Sequence, residues 1–227
     1  MLDTVVFVDP AVVDFFTKQM VFAKINAEVD TVLAKRFHVS GYPTAVLVKA
    51  DGSEIDRIVG YMPTAPYLKT IKDYQQGIGT LDDLLNQAKT KEDRKLYFDI
   101  ADKYKYRGGD EGATEWYDKV ISSGEPTDSL SGEARMALAD MYRRAKDYDK
   151  ALDSFASIKK DFGSGMFAET ADIWMAVVYR TKGDTAAAIN QFEQFIANYP
   201  ESEDVGYAKS QVEKLKNPPP PKKEEEK

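Results

Sequence analysis

Apolar and polar positions follow two different periods along this chain, one short and strand-like near the start, one helical for most of the rest. Ala45–Lys49 is a β-branched apolar run, Asp51-Gly52 follows, and Ile55, Ile58 and Val59 resume the run with Arg57 between them. Two such runs around Asp-Gly predict a β-hairpin, because glycine adopts the positive φ of a tight two-residue turn without a Cβ clash. Upstream, Val32, Leu33, Ala34 and Phe37 give Thr31–Phe37 an apolar side, predicting a short helix closed by Gly41. From Leu81 onward the strand signals stop. Helix-period segments rich in Ala, Tyr, Lys and Asp run on, punctuated by "RGGD", "AKDY" and "KGD".

Those segments repeat. Setting "IADKYKYRGGDEGATEWYDKVI" beside "LADMYRRAKDYDKALDSFASI" and "AVVYRTKGDTAAAINQFEQFI" brings Tyr104, Tyr142 and Tyr179 together. Ala113, Ala151 and Ala188 follow nine residues later, and Tyr117, Phe155 and Phe192 four beyond those. A small residue lets the second helix of a pair lie close to the first, and an aromatic one turn on occupies the same face. Pro200 cannot continue the third unit. The pattern resembles the tetratricopeptide (TPR) repeat. The tyrosines recur after 38 and 37 residues, above the usual ~34, so "SGEPTDSLSG" and "DFGSGMF" are longer loops. The units are expected over about 91–124, 131–163 and 168–200 of a region 91–216, with an end helix over 203–216 whose buried side carries Val205, Ala208, Val212 and Leu215. Residues 78–90, with Leu81, Leu84, Leu85 and Ala88, are expected as a linker helix, and "NPPPPKKEEEK" (217–227) as a disordered tail.

The first 77 residues carry a second resemblance. A helix, then Gly-Tyr-Pro-Thr, then a hairpin resembles the C-terminal half of the thioredoxin fold. That resemblance implies a strand at "MVFAKINAE" (20–28), a cis bond at Tyr42-Pro43, a last helix over Ala65–Gln75, and a substrate-contacting role for Tyr42, Pro43 and Thr44. It also implies that "MLDTVVFVDPAVVDFF" follows closely on a Cys-x-x-Cys, so the domain over 1–77 is expected to lack its first strand and its redox motif. Val21–Ile25 and Ala45–Val48 are then expected either to face each other across an empty lane or to pair directly as antiparallel strands. The fold class implied is an α/β thioredoxin-like partial domain followed by an all-α TPR solenoid.

Composition narrows the chemistry. The 227 residues contain no cysteine, and thiol–disulfide exchange needs a thiolate, so no catalytic residue is assigned. Thirty-one Lys and Arg against thirty-eight Asp and Glu give a net charge of −7, which argues against a nucleic-acid partner. No stretch reaches the ~18 apolar residues of a membrane span. The single histidine, His38, reads as a surface or cap residue. Asp147, Asp149 and Asp153 lack the glycine and closing glutamate of a calcium loop and read as helix-start residues; no metal and no small-molecule cofactor are expected. Trp116 and Trp174 read as core. The partner expected is a protein or peptide, with Lys103, Arg135 and Asp172 exposed on the first helices of the repeats. The function expected is a non-enzymatic interaction scaffold. The alternative is part of a thiol–disulfide oxidoreductase whose Cys-x-x-Cys lies upstream of Met1, with the repeats recruiting clients. Proteins of this combined architecture are often exported from bacterial cytoplasm, so a periplasmic place is expected if a signal peptide precedes Met1 and a cytoplasmic one otherwise.

Overall fold

The structure, a computed structural model, describes residues 2–218; the expected tail lies outside the described residues from 219 on. A π-helical turn at Leu2–Val6 precedes α1 (Pro10–Gln19), α2 (Thr31–Arg36), β1 (Thr44–Val48), β2 (Glu54–Val59) and α3 (Thr64–Gln75). Then come α4 (Leu81–Gln87), α5 (Arg94–Tyr106), α6 (Asp110–Ser122), α7 (Ser129–Arg144), α8 (Tyr148–Phe162), α9 (Met166–Lys182), α10 (Thr185–Asn198) and α11 (Val205–Lys216). The chain divides into two compact units between Trp116 and Tyr117, a division that falls inside α6. The fold class is the expected one, a partial α/β thioredoxin-like domain followed by a TPR-like helical stack.

In the first unit, β1 and β2 pair antiparallel, with Thr44 opposite Val59 and Val46 opposite Arg57. Ile58 of β2 meets Val12 and Phe16 of α1 and Tyr67 and Ile71 of α3, with Leu2 and Val6 closing the core. The hairpin loop is wider than a two-residue turn. A register irregularity at Leu47/Val48 leads into a loop in which the Asp51 carboxylate accepts from Ser53 N–H at 2.8 Å and Ser53 Oγ at 2.6 Å. Gly52 alone takes positive φ, at 80°. That carboxylate bridge organises the loop and holds the Asp51 pKa below its ordinary value, the Ser53 hydroxyl contributing most.

Two other expectations change. Residues 20–26 form no strand and pair with nothing in the two-stranded sheet; Val21 is 97% exposed. An apolar run becomes a strand only where a neighbour offers a backbone ladder. This one is held by side chains instead, Phe22 stacked on Phe16 at 5.1 Å and Lys24 on Asp3 at 2.6 Å. Nor does Gly41 close α2. His38 takes the left-handed conformation at φ 49°, and Val39 N–H returns to Ala34 C=O at 2.8 Å. The imidazole lies against Gly108, where a Cβ would come within 2.7 Å of the ring.

The second unit follows the repeat pattern closely. Ala151, Phe155, Ala188 and Phe192 are fully buried, and so are Ala113 in the first unit and Tyr117 where the second begins. Ala139 of α7, Phe155 and Ile158 of α8 and Val178 of α9 share one core. α11 places Ala208, Val205, Val212 and Leu215 against Phe192 and Phe195 of α10, as its apolar stripe requires. Pro200 lies two residues past the end of α10.

Each helical pair turns through the same backbone device. Gly109, Asp147 and Asp184 N–H donate to Tyr104, Tyr142 and Tyr179 C=O at 2.9, 2.9 and 3.0 Å. The residue before each donor has positive φ: Gly108 at 74°, Lys146 at 64°, Gly183 at 88°. Asp147 and Asp184 then cap the following helices. In "RGGD" the cap position is instead Gly109, and Asp110 lies one residue inside α6; a Cβ at Gly109 would stand 3.0 Å from Tyr104 Cδ1. Lys146 is the residue out of keeping, because a left-handed non-glycine costs roughly 1–2 kcal/mol. Lys146→Gly is therefore expected to stabilise the second unit by about 1 kcal/mol, which is roughly 2–4 °C in a thermal unfolding scan. A lowered midpoint would contradict it.

Candidate functional site

The turn implied by the thioredoxin resemblance is present. Tyr42-Pro43 is cis, Thr44 Oγ1 donates to Gly41 C=O at 2.8 Å, and Gly60 N–H donates to Pro43 C=O at 2.8 Å. The turn is thus fastened to both ends of the hairpin, and Tyr42 stands 67% exposed beside it. A second feature of this unit is an apolar groove of about 300 Å³ lined by Phe7, Val13, Phe16, Thr17, Met20 and Phe22.

The polar centre of the first unit is one that the sequence pattern conceals. Asp56 is fully buried in β2. Its Oδ1 accepts from Arg57 N–H at 2.7 Å, and its Oδ2 from Leu81 N–H at 2.8 Å. Lys103 Nζ and Arg107 Nη2 lie 2.9 and 3.0 Å from that same Oδ2. Glu54 accepts from Arg57 Nε at 2.7 Å, Arg107 Nη2 donates to Ile55 C=O at 3.2 Å, and Arg57 Nη1 donates to Tyr106 C=O. One carboxylate therefore gathers β2, the first amide of α4, and two cations from α5 and its C-cap. Tyr74 of α3 lines the cluster. Its ring lies 4.7 Å from Lys103 Nζ, and burial, reinforced by the Asp56 charge, pushes its pKa up to about 12. Burial also lowers the Lys103 pKa, against the pull of Asp56. Around this polar centre α4 lays Leu81, Leu84 and Leu85 against Leu96 and Ile100 of α5, with Trp116 alongside.

None of the three repeat residues expected on an exposed face is free. Lys103 is mostly buried on Asp56. Arg135 donates to Asp161 Oδ2 at 2.6 Å, Ser157 Oγ at 3.0 Å and Pro126 C=O at 3.3 Å. Asp172 is fully buried rather than exposed, its Oδ1 2.7 Å from Lys159 Nζ and also accepting from Gln191, while its Oδ2 has no hydrogen-bond partner. Their position on first helices was legible; the acidic or basic partners from neighbouring elements were not. What could have exposed Asp56 is the strand "EIDRIV", where charges stand inside an otherwise apolar run, a pattern that a half-buried strand does not explain unless each charge is paired. Among the described residues no group of three His, Cys, Asp or Glu is placed to hold a metal ion, and none of the helices is long and apolar enough to cross a membrane.

Comparison with known proteins finds two matches, one within each compact unit. Residues 2–75 match the family model of a thioredoxin-like domain. The match ends with α3. Residues 136–210 match a second family model, that of an outer membrane lipoprotein, which here covers most of α7, all of α8 to α10 and the first half of α11, a TPR-like helical region. No curated protein matches the chain. The residues between the two matches hold α4, α5 and α6, including both α5-side cations of the Asp56 cluster.

Removing one partner of a buried ion pair leaves the others charged and unpaired, at a cost of about 3–5 kcal/mol. Asp56→Ala is expected to destabilise the first unit by that amount in denaturant unfolding. Adding Lys103→Met should recover part of the loss, because the stranded ammonium goes with it. Independent, additive effects would show that the cluster is not coupled.

Proposed function

We propose that this chain is a protein-interaction scaffold of thioredoxin-like and TPR-like parts, without redox activity of its own. The two family matches support a protein-interaction or oxidoreductase-associated role. The choice of interaction rests on one observation: 227 residues contain no cysteine, while the small and aromatic positions that hold helical pairs together are kept and fully buried in all three pairs. A disulfide-exchange reaction has no nucleophile here. A stack of helical pairs offers an extended surface for a peptide or a partner helix. The cis-proline turn, with Tyr42 exposed beside it, supplies a further contact point on the first unit.

Two measurements on the full chain test this reading. Insulin reduction by dithiothreitol should run no faster in its presence, and an array of unrelated 12-residue peptides should contain sequences that it retains. Catalysed turnover of insulin, or an array on which nothing binds, would overturn the proposal.

A further inference from the structure

The residue after each repeat tyrosine is a cation: Lys105, Arg143 and Arg180. In the second unit each of these cations contacts an aromatic residue of a following helix. Arg143 of α7 lies with its guanidinium carbon 4.9 Å from the Trp174 ring of α9. Arg180 of α9 reaches α11 in the same direction, Nη1 donating to Tyr207 Oη at 3.2 Å and Gln211 Oε1 at 2.5 Å. Arg143 thus lies over an aromatic ring of the next first-type helix, and Arg180 bonds the hydroxyl of one. Their charges are incompletely answered. Arg143 and Arg144 both use Asp140, with Arg143 Nη2 and Arg144 Nε each at 2.6 Å. At Arg180 the position corresponding to Asp140 is Val177, and the acceptors that it meets are neutral. By contrast Arg135, Lys159 and Lys182 of this unit each have an acidic partner of their own, Asp161, Asp172 and Asp149.

We infer that the stripe Arg143–Arg144–Arg180, backed by Trp174 and Tyr207, docks an acidic peptide segment of a partner protein. The inference rests on the scaffold reading above and adds the partner's chemistry. Three guanidiniums with one carboxylate among their partners, in a chain of net charge −7, leave a local excess of positive charge that a row of carboxylates complements, and Arg, Trp and Tyr are the residues enriched at the energetic centres of protein interfaces. Guanidinium groups bind carboxylates through two parallel hydrogen bonds. Arg144, with its side chain 54% exposed, and Tyr207, 39% exposed, are open to such a ligand.

The test uses a fluorescein-labelled 12-residue peptide of glutamate and leucine, a counterpart with glutamine at every glutamate, and anisotropy titrations against the full chain. The wild type should bind the acidic peptide about tenfold or more tightly than the glutamine peptide, and less tightly as salt rises. The variant carrying Arg144→Gln and Arg180→Gln should lose that preference while keeping its helical circular dichroism. If Arg180→Gln unsettles α11, Arg144→Gln alone carries the test, with a loss of about threefold or more. Equal affinity for the two peptides, or a variant that binds as the wild type does, overturns the inference. Retention of neutral peptides from the array with no effect of either arginine refutes the stripe and leaves the scaffold reading standing; an array with no binding at all removes both.

Discussion

A buried carboxylate without partners cannot persist as an anion, and that constraint organises the first unit. Asp56 takes two backbone N–H donors, from β2 and α4, and two side-chain cations, from α5 and its C-cap. Taking so many charges out of water is costly, and their mutual attraction repays the cost only if every lone pair is met. The geometry is therefore demanding. Helix α4 must begin at Leu81, α5 must present Lys103 one turn before Arg107, and β2 must keep Asp56 turned toward both. A hydrophobic contact would tolerate sliding; this one does not. Consequently the compact unit that starts as a thioredoxin-like domain does not stop where that family match stops at residue 75, but runs on to Trp116.

What could be read from the sequence was what periodicity encodes. The helical pairs, the buried Ala and aromatic positions, the α11 stripe and the hairpin all follow from side-chain spacing along one element, and they are found at the expected residues. The misses share a different origin. Whether residues 20–26 form a strand depends on a neighbour in space. Whether Lys103, Arg135 and Asp172 are exposed depends on Asp56, Asp161, Lys159 and Gln191, which lie 47, 26, 13 and 19 residues away along the chain. Local pattern places a residue on a helix face; it does not say which other element covers that face. Gly41 and His38 illustrate the same point on a smaller scale, since the helix end went to the residue whose ring could lie on Gly108.

Function divides along the same line. In the second unit the small and aromatic repeat residues are buried in packing, and the position after each tyrosine carries an arginine, Arg143 or Arg180. In the first unit the thioredoxin-like elements retain the cis-proline turn, and the charged residues Glu54, Asp56 and Arg57 of β2 are engaged with α4, α5 and its C-cap. A chain with no thiol thus keeps the cis-proline turn and the hairpin of a thioredoxin-like domain.

Native-state hydrogen exchange reads most directly whether Asp56 makes β2 and α5 one structural unit. If it does, the slowest-exchanging amides of Glu54–Val59 and of Arg94–Tyr106 open with the same free energy and respond in parallel to added denaturant, since a cooperative unit opens as a whole. Amides of α5 that instead open with those of α8 and α9, while β2 opens at a separate and lower free energy, would contradict the account.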